Sequence, residues 1–200
     1  MKYITHIRKL FSALADELVR FAEAILKHMP GRVGRLSRRH IYRLFLHAGS
    51  DLNIRTGVTI EGFSNIEIGN NATILSQSFL YATDALLKIG DNFRMNSNSF
   101  LGASGGRIYI GDNVLIAQNV VVRAADHCHD SADIPISEQG HKGGTIHIEN
   151  GVWICANSVI TTDVTIGKHS IVAAGAVVTK DVKPFTIVAG VPAKITRYRK

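Results

Sequence analysis

From Ile148 onward the chain counts in sixes. Ile148, Ile154, Ile160, Ile166, Val172 and Val178 follow one another at an exact period of six, and every one is a β-branched aliphatic residue. Four places after each lie Val152, Ser158, Val164, Ser170, Ala176 and Val182, all small or medium in size. No other feature restricts the fold as strongly. The phase recurs upstream in Ile110, Ile116 and Val122, in Ile89, Met95 and Leu101, in Ile68, Ile74 and Leu80, and less cleanly in Ile54 and Ile60. Blocks starting at 68, 89 and 110 are 21 apart, whereas 148 to 166 is 18, so the natural unit is three hexads with small insertions at corners. The punctuation "IGNN", "IGDN", "IGDN" and "IGKH" supplies turn residues. A strand within one hexad is too short to bury its own aliphatic side chain. Stacked coils bury these side chains in ladders and pair their backbones as parallel strands. Three flat stretches per coil make a triangular prism.

The repeat breaks once. Val122 and Ile148 are 26 apart where 6 is expected, so about 20 residues project there. The excursion opens with "VVRAADHCHDSADIP". Counted in sixes, Val122 points inward, Asp126 takes the small inner position, and His127 is the first residue to leave the prism. His127, Cys128, His129, Asp126, Asp130 and His141 are all chemically able to bind a metal. A single imidazole at the root of such a loop is equally suited to general-base work, with Asp126, Asp130 or a backbone carbonyl orienting it. Trp153 is the only tryptophan and directly precedes inward-facing Ile154, so its ring faces out. Asn96 follows inward-facing Met95 and likewise points away from the core.

The first 50 residues differ in character. They hold ten Lys/Arg and three Asp/Glu, whereas residues 51–200 hold thirteen of each, so the net charge of +7 belongs to the front end. A balanced main domain argues against nucleic-acid binding. Ile4, Ile7, Phe11, Leu14, Leu18, Phe21 and Ile25 form a helical stripe that Pro30-Gly31 ends. Leu36, Ile41, Leu44 and Phe45, mixed with Arg32, Arg35, Arg38, Arg39 and Arg43, predict a second, basic amphipathic helix stopping near Gly49. These helices cover one end of the prism or a neighbouring subunit, or residues 32–46 meet an anionic membrane surface. Only Cys128 and Cys155 are present, so no disulfide framework is implied and a reducing, cytoplasmic setting fits. The expected organisation is a helical segment over 1–49, a β-helix over 50–185 with a projecting loop at 128–145, and a tail over 186–200.

From about residue 50 to 199 the motifs "IGDNVLIAQNVVV", "ADHCHD", "IENGVWICANSVI", "IGKHSIVAAGAVVTKDV" and "IVAGVPAK" together resemble the hexapeptide-repeat acyltransferases. The similarity is to the branch holding galactoside, maltose and nodulation-factor acetyltransferases and the xenobiotic acetyltransferases. The resemblance implies a mainly β, left-handed parallel β-helix and acetyl-coenzyme A as acyl donor. It also implies a homotrimer with active sites between prisms. His127 aligns with the family's catalytic base; His129 falls at a more variable place. Asn96, in "NFRMNSN", maps to a residue contacting the acceptor, and Asp126 stands beside the base. On the donor side, Trp153 maps to a wall of the coenzyme channel, and Ala156 and Ala174 to small residues beside the pantetheine. Thr179 and Lys180 map to the nucleotide end, and Lys194 and Arg197 to the phosphates. The family's usual glycine in "WIG" is Cys155 here. Some β-helices of this kind are zinc carbonic anhydrases, but the histidine spacing departs from theirs, and no metal is expected. The implied activity is O-acetylation of a sugar hydroxyl in polysaccharide or lipopolysaccharide biosynthesis, in the cytoplasm or peripherally on the inner membrane face. Xenobiotic, amino-sugar N- and serine acetyltransferases, or a non-catalytic assembly module, are the rival readings.

Overall fold

A computed structural model of the chain describes residues 21–199. The front-end stripe from Ile4 to Leu18 lies outside them. Residues 21–28 are helical, a second helix spans Gly31–Phe45, and everything after is β-structure wound in six coils. Side one of the prism stacks His47–Ala48, Ile66–Ile68, Leu86–Ile89, Arg107–Ile110, Thr145–Ile148 and Thr165–Ile166. Side two stacks Asn53–Ile54, Thr73–Ile74, Arg94–Met95, Leu115–Ile116, Trp153–Ile154 and Ile171–Val172, and is extended by Thr186–Ala189 and Lys194–Tyr198. Side three stacks Thr59–Glu61, Phe79–Tyr81, Phe100–Gly102, Val121–Arg123, Val159–Ile160 and Val177–Val178. Successive coils pair in parallel and in register, as in Ile116 opposite Met95 and Ile154. The architecture is the left-handed parallel β-helix that the repeat and its resemblance led us to expect.

The counted positions are the core. Ile54, Ile74, Met95, Ile116, Ile154 and Val172 form one inward ladder, and Ile60, Leu80, Leu101, Val122, Ile160 and Val178 another, all buried. Ser158 and Ser170, at small positions, are buried too, and their hydroxyls donate to backbone carbonyls of Ala173 and Lys183. The "IG(N/D)N" turns have a physical basis. Asp91 Oδ1 accepts the backbone N–H of Asn70 at 2.6 Å, and Asp112 Oδ1 that of Asp91 at 2.7 Å, so each coil's acid caps the turn of the coil before it. A Cβ on Gly90 would sit on Asp112 Oδ1, which is why glycine precedes the acid. Asn71, Asn92 and Asn113 all take positive φ and join in a side-chain ladder at 2.9 and 3.1 Å.

The irregularities of the repeat share one place. The extra residues after Leu80 and Leu101, and the long excursion after Val122, all fall at the edge between sides three and one. The excursion leaves earlier than sixes predict. Ala124 and Ala125 are buried, but Asp126 is exposed and belongs to an antiparallel hairpin, Ala125–His127 against His141–Gly143. The inner position assigned to Asp126 is therefore wrong. Gly144 N–H donates to the Ala124 carbonyl at 2.7 Å, closing the hairpin's root before residue 126 is reached. The prism itself begins at His47 rather than 50, and Thr186–Ala189 is part of side two rather than a tail.

The helices close the coil-one end by an unexpected face. Gly34, Arg38 and Tyr42 are the buried residues of the second helix, and Leu26 and Leu46 are buried beside them. Arg38 is 2% exposed and donates to the carbonyls of Ile54 (3.0 Å), Leu26 (2.9 Å) and Met29 (2.8 Å). One guanidinium thus ties the end of the first helix to the first coil. The apolar residues that define the helix's pattern, Leu36, Ile41, Leu44 and Phe45, stay exposed, Leu44 by 81%.

Candidate functional site

His127 stands at the far end of the hairpin's first strand, directly opposite His141. The two rings are 4.0 Å apart between centroids and tilted by 40°. Beyond them the loop is tied internally. Cys128 N–H donates to Gly140 O at 3.0 Å, and Gln139 bridges Ser131 and Ile134 through its amide. His129 Nδ1 lies 3.0 Å from the His127 carbonyl. A carbonyl only accepts, so that nitrogen carries the proton and His129 is turned back onto the loop. His127 is left exposed as the projecting imidazole of the pair. Asp126 has no side-chain hydrogen bond among the described residues, so no carboxylate orients the ring there. A groove of about 630 Å³ runs beside the hairpin's root, past Asp84, Gly105, Gly106, Arg107, Gly143 and Gly144. Its glycines are steric necessities: a Cβ on Gly143 would overlap the Gly105 carbonyl oxygen.

His141 was visible in the sequence only as one more polar loop residue. Nothing in a six-residue count shows that the chain returns antiparallel and places it across from His127. The glycine pairs at 105–106 and 143–144 were the available signal, since two backbones that touch need them.

The other site residues lie elsewhere. Trp153 is 45% exposed on the outer face of side two, between Leu115 and Ile171 of the adjoining coils. Leu115, Arg94, Thr73, Leu75 and Asn96 share with it a groove of about 350 Å³, mostly apolar in its walls. Asn96 accepts the Ser97 N–H through Oδ1 at 2.8 Å, which leaves its Nδ2 free to donate. Ala156 and Ala174 follow on the edge between sides two and three, one coil apart. Cys155 packs beside them, and burial pushes its thiol pKa up, so it stays protonated. Lys194 and Arg197 are exposed on the last strand of side two. Thr179 and Lys180 are exposed on the edge between sides three and one, the edge that carries the hairpin.

The sequence-predicted residues therefore fall into two groups. Asn96, Trp153, Ala156, Ala174, Lys194 and Arg197 line side two and its forward edge. Asp126, His127, Thr179 and Lys180 lie on the opposite edge of the triangle. A single chain does not bring His127 over Trp153. Among the described residues, no group of three or more His, Cys, Asp or Glu gathers as a metal site would require.

Comparison with known proteins agrees with this architecture. Residues 145–180 match the bacterial transferase hexapeptide (six repeats) family. Galactoside O-acetyltransferase of Escherichia coli K12 is 38% identical over 89 residues, which are 42% of this chain and 40% of that protein. The matched stretch thus spans about two fifths of that relative's length. A hexapeptide-repeat acetyltransferase of Vibrio cholerae, solved in complex with acetyl-coenzyme A, is 29% identical over 94% of this chain and 88% of its own, with a TM-score of 0.63. A maltose O-acetyltransferase of Clostridium difficile 630 shares the fold, at 24% identity over 88% of this chain and 82% of its own and a TM-score of 0.63. The unbroken six-residue register, the coils it builds and these similarities identify the chain as a member of the hexapeptide-repeat transferase family.

Proposed function

We propose that this protein is an acetyl-coenzyme A-dependent O-acetyltransferase acting on a sugar hydroxyl, in the synthesis of a polysaccharide or lipopolysaccharide. The observation that carries the reading is the pairing of an exposed imidazole on a built hairpin with an outward tryptophan over a narrow apolar groove. Each is off the core, and each is a poor choice for solubility alone. The donor's thioester arm fits along Trp153 and Leu115, past the small side chains of Ala156 and Ala174. Lys194 and Arg197 meet its phosphates through charge-assisted hydrogen bonds.

His127 takes the proton of the acceptor hydroxyl as its oxygen attacks the thioester carbonyl. The carbonyl becomes an oxyanion, to which Asn96 Nδ2 donates. When the carbon–sulfur bond breaks, the imidazolium returns its proton to the departing thiolate. His127 and Trp153 lie on opposite sides of one prism, so a complete site needs two copies, as in a homotrimer. Side three offers the surface for it: Phe79, Phe100, Val121, Val159 and Val177 face outward in one half-buried apolar stripe, with Phe79 stacked on Phe100 at 5.8 Å. We place the protein in the cytoplasm, peripheral on the inner membrane face. The exposed Val33, Leu36, Leu44 and Phe45 among arginines support that placement, and lower sedimentation of Leu44→Ser with phosphatidylcholine–phosphatidate vesicles checks it.

The test of the catalytic assignment is coenzyme A release with candidate sugars. His127→Ala lowers the rate by at least roughly 10²-fold, the usual effect of losing a general base. Unchanged turnover in that variant sinks the assignment.

A further inference from the structure

The edge between sides two and three carries a second feature at its coil-one end. Arg32, Arg35 and Arg38 of the second helix and Arg55 of the first coil converge on a pocket of about 330 Å³, completed by Thr56 and Ser76. No carboxylate lines it. The ion pairs among the described residues, Arg39–Asp51 and Lys88–Glu67, lie elsewhere. Arg38 is locked in place by its three carbonyl acceptors through Nε and Nη1, and its Nη2 has no partner among the described residues. Arg35 is half-buried beside it. The Thr56 and Ser76 hydroxyls, 3.4 Å apart, add two further donors. Four guanidinium groups around one cavity repel each other unless an anion sits among them. Planar N–H forks and hydroxyls are the donor set that suits phosphate oxygens.

Position gives the pocket its meaning. Arg55 and Thr56 are on coil one, Ser76 is on coil two, and Asn96 is on coil three of the same edge. Neighbouring strands stack about 4.8 Å apart, so the pocket lies on the order of 10 Å along that edge from Asn96. That separation suits a sugar ring at Asn96 with its phosphate or diphosphate reaching back.

We propose that this pocket binds phosphate groups, and that the acceptor of the reaction proposed above is a phosphorylated sugar anchored there by its phosphate end. The first half stands on the pocket alone; the second rests on the acetyltransferase reading.

The test begins with calorimetric titration of the full chain with inorganic pyrophosphate. Saturable binding is expected, weakened about tenfold or more by the Arg35→Gln/Arg55→Gln double variant. Lys88→Gln, a charge removed far from the pocket, leaves it unchanged, and so does His127→Ala, because binding needs no turnover. Absence of saturable binding, or binding indifferent to the double variant, overturns the phosphate site. Phosphatidylcholine vesicles with and without phosphatidate locate the source. Competition by the phosphatidate vesicles, lost in the double variant, assigns the phosphate to a lipid-linked acceptor; lack of competition assigns it to a soluble one. In coenzyme A release, the phosphorylated sugar has the lower KM than the same sugar without phosphate, and the double variant removes the difference. Equal KM values, with pyrophosphate binding intact, overturn the acceptor assignment and leave the role of His127 standing.

Discussion

Replacing Arg38 by methionine tests whether a charged side chain is the main fastening of the front end. Methionine keeps much of the volume and the flexible stem but donates nothing. Three carbonyls then lose their partner: those of Ile54 and Leu26, which are buried, and that of Met29, which is partly buried. A buried acceptor left unmade costs about 1–3 kcal/mol, so the first two cost about 2–6 kcal/mol together. The Met29 carbonyl can turn to water and adds little. The guanidinium's own desolvation, which holds its pKa below the usual arginine value, is relieved in the variant and moves the net toward the lower end. The loss falls on one seam, because Arg38 joins the helices to coil one and touches no later coil. Hydrogen exchange read by mass spectrometry should therefore show residues 21–46 opening far more often while the amides of the later coils keep their protection. A change below about 1 kcal/mol, with exchange of 21–46 unaltered, would refute the idea that Arg38 clamps the helices.

Two further outcomes follow from the same geometry. Gly143→Val forces a side chain into the Gly105 carbonyl, so the hairpin must leave its seat; coenzyme A release should fall at least roughly tenfold while the denaturant midpoint moves little, because no core ladder is touched. A large fall in the midpoint with activity retained would show the hairpin to be structural instead. Cys155 has its thiol pKa raised by burial, so folding favours the protonated form. That contribution is present below the unfolded thiol's pKa and lost as pH rises past the folded one. Alkylation of Cys155, followed by peptide mass spectrometry, should reach its half-maximal rate at a higher pH than in the urea-unfolded chain; a lower pH would contradict the burial argument.

The prism was legible because its physics is periodic. A residue such as Ile154 must be aliphatic, since coils above and below press on it, and six-residue spacing records that pressure directly. The glycine and acid of each "IGDN" turn were legible for a similar reason, although their exact service, capping the preceding coil's backbone, needed coordinates. Asp126 was misplaced because the count was carried across an edge where every coil already departs from six. His141 escaped because its partnership with His127 arises from an antiparallel return, which leaves only glycine pairs as a trace. The second helix misled in another way. Its spacing marks Leu36, Ile41 and Leu44 as one face, and nothing in spacing says that an arginine supplies the contact side instead. A helical wheel treats arginine as surface; three backbone carbonyls converging on Arg38 make it interior. Arg55 joins Arg35 through stacking of the helix on coil one, a proximity that no linear pattern contains.

The central claim is that one active site is shared between two copies, with His127 from one and Trp153 from its neighbour. Co-expression of His127→Ala with Trp153→Glu tests it directly. Each variant alone is expected to be nearly inactive in coenzyme A release. In an equal mixture, about one site in four receives an intact His127 from one chain and an intact Trp153 from the next, so activity returns to about a quarter of the wild-type level. A mixture no more active than its separate components would contradict the shared site.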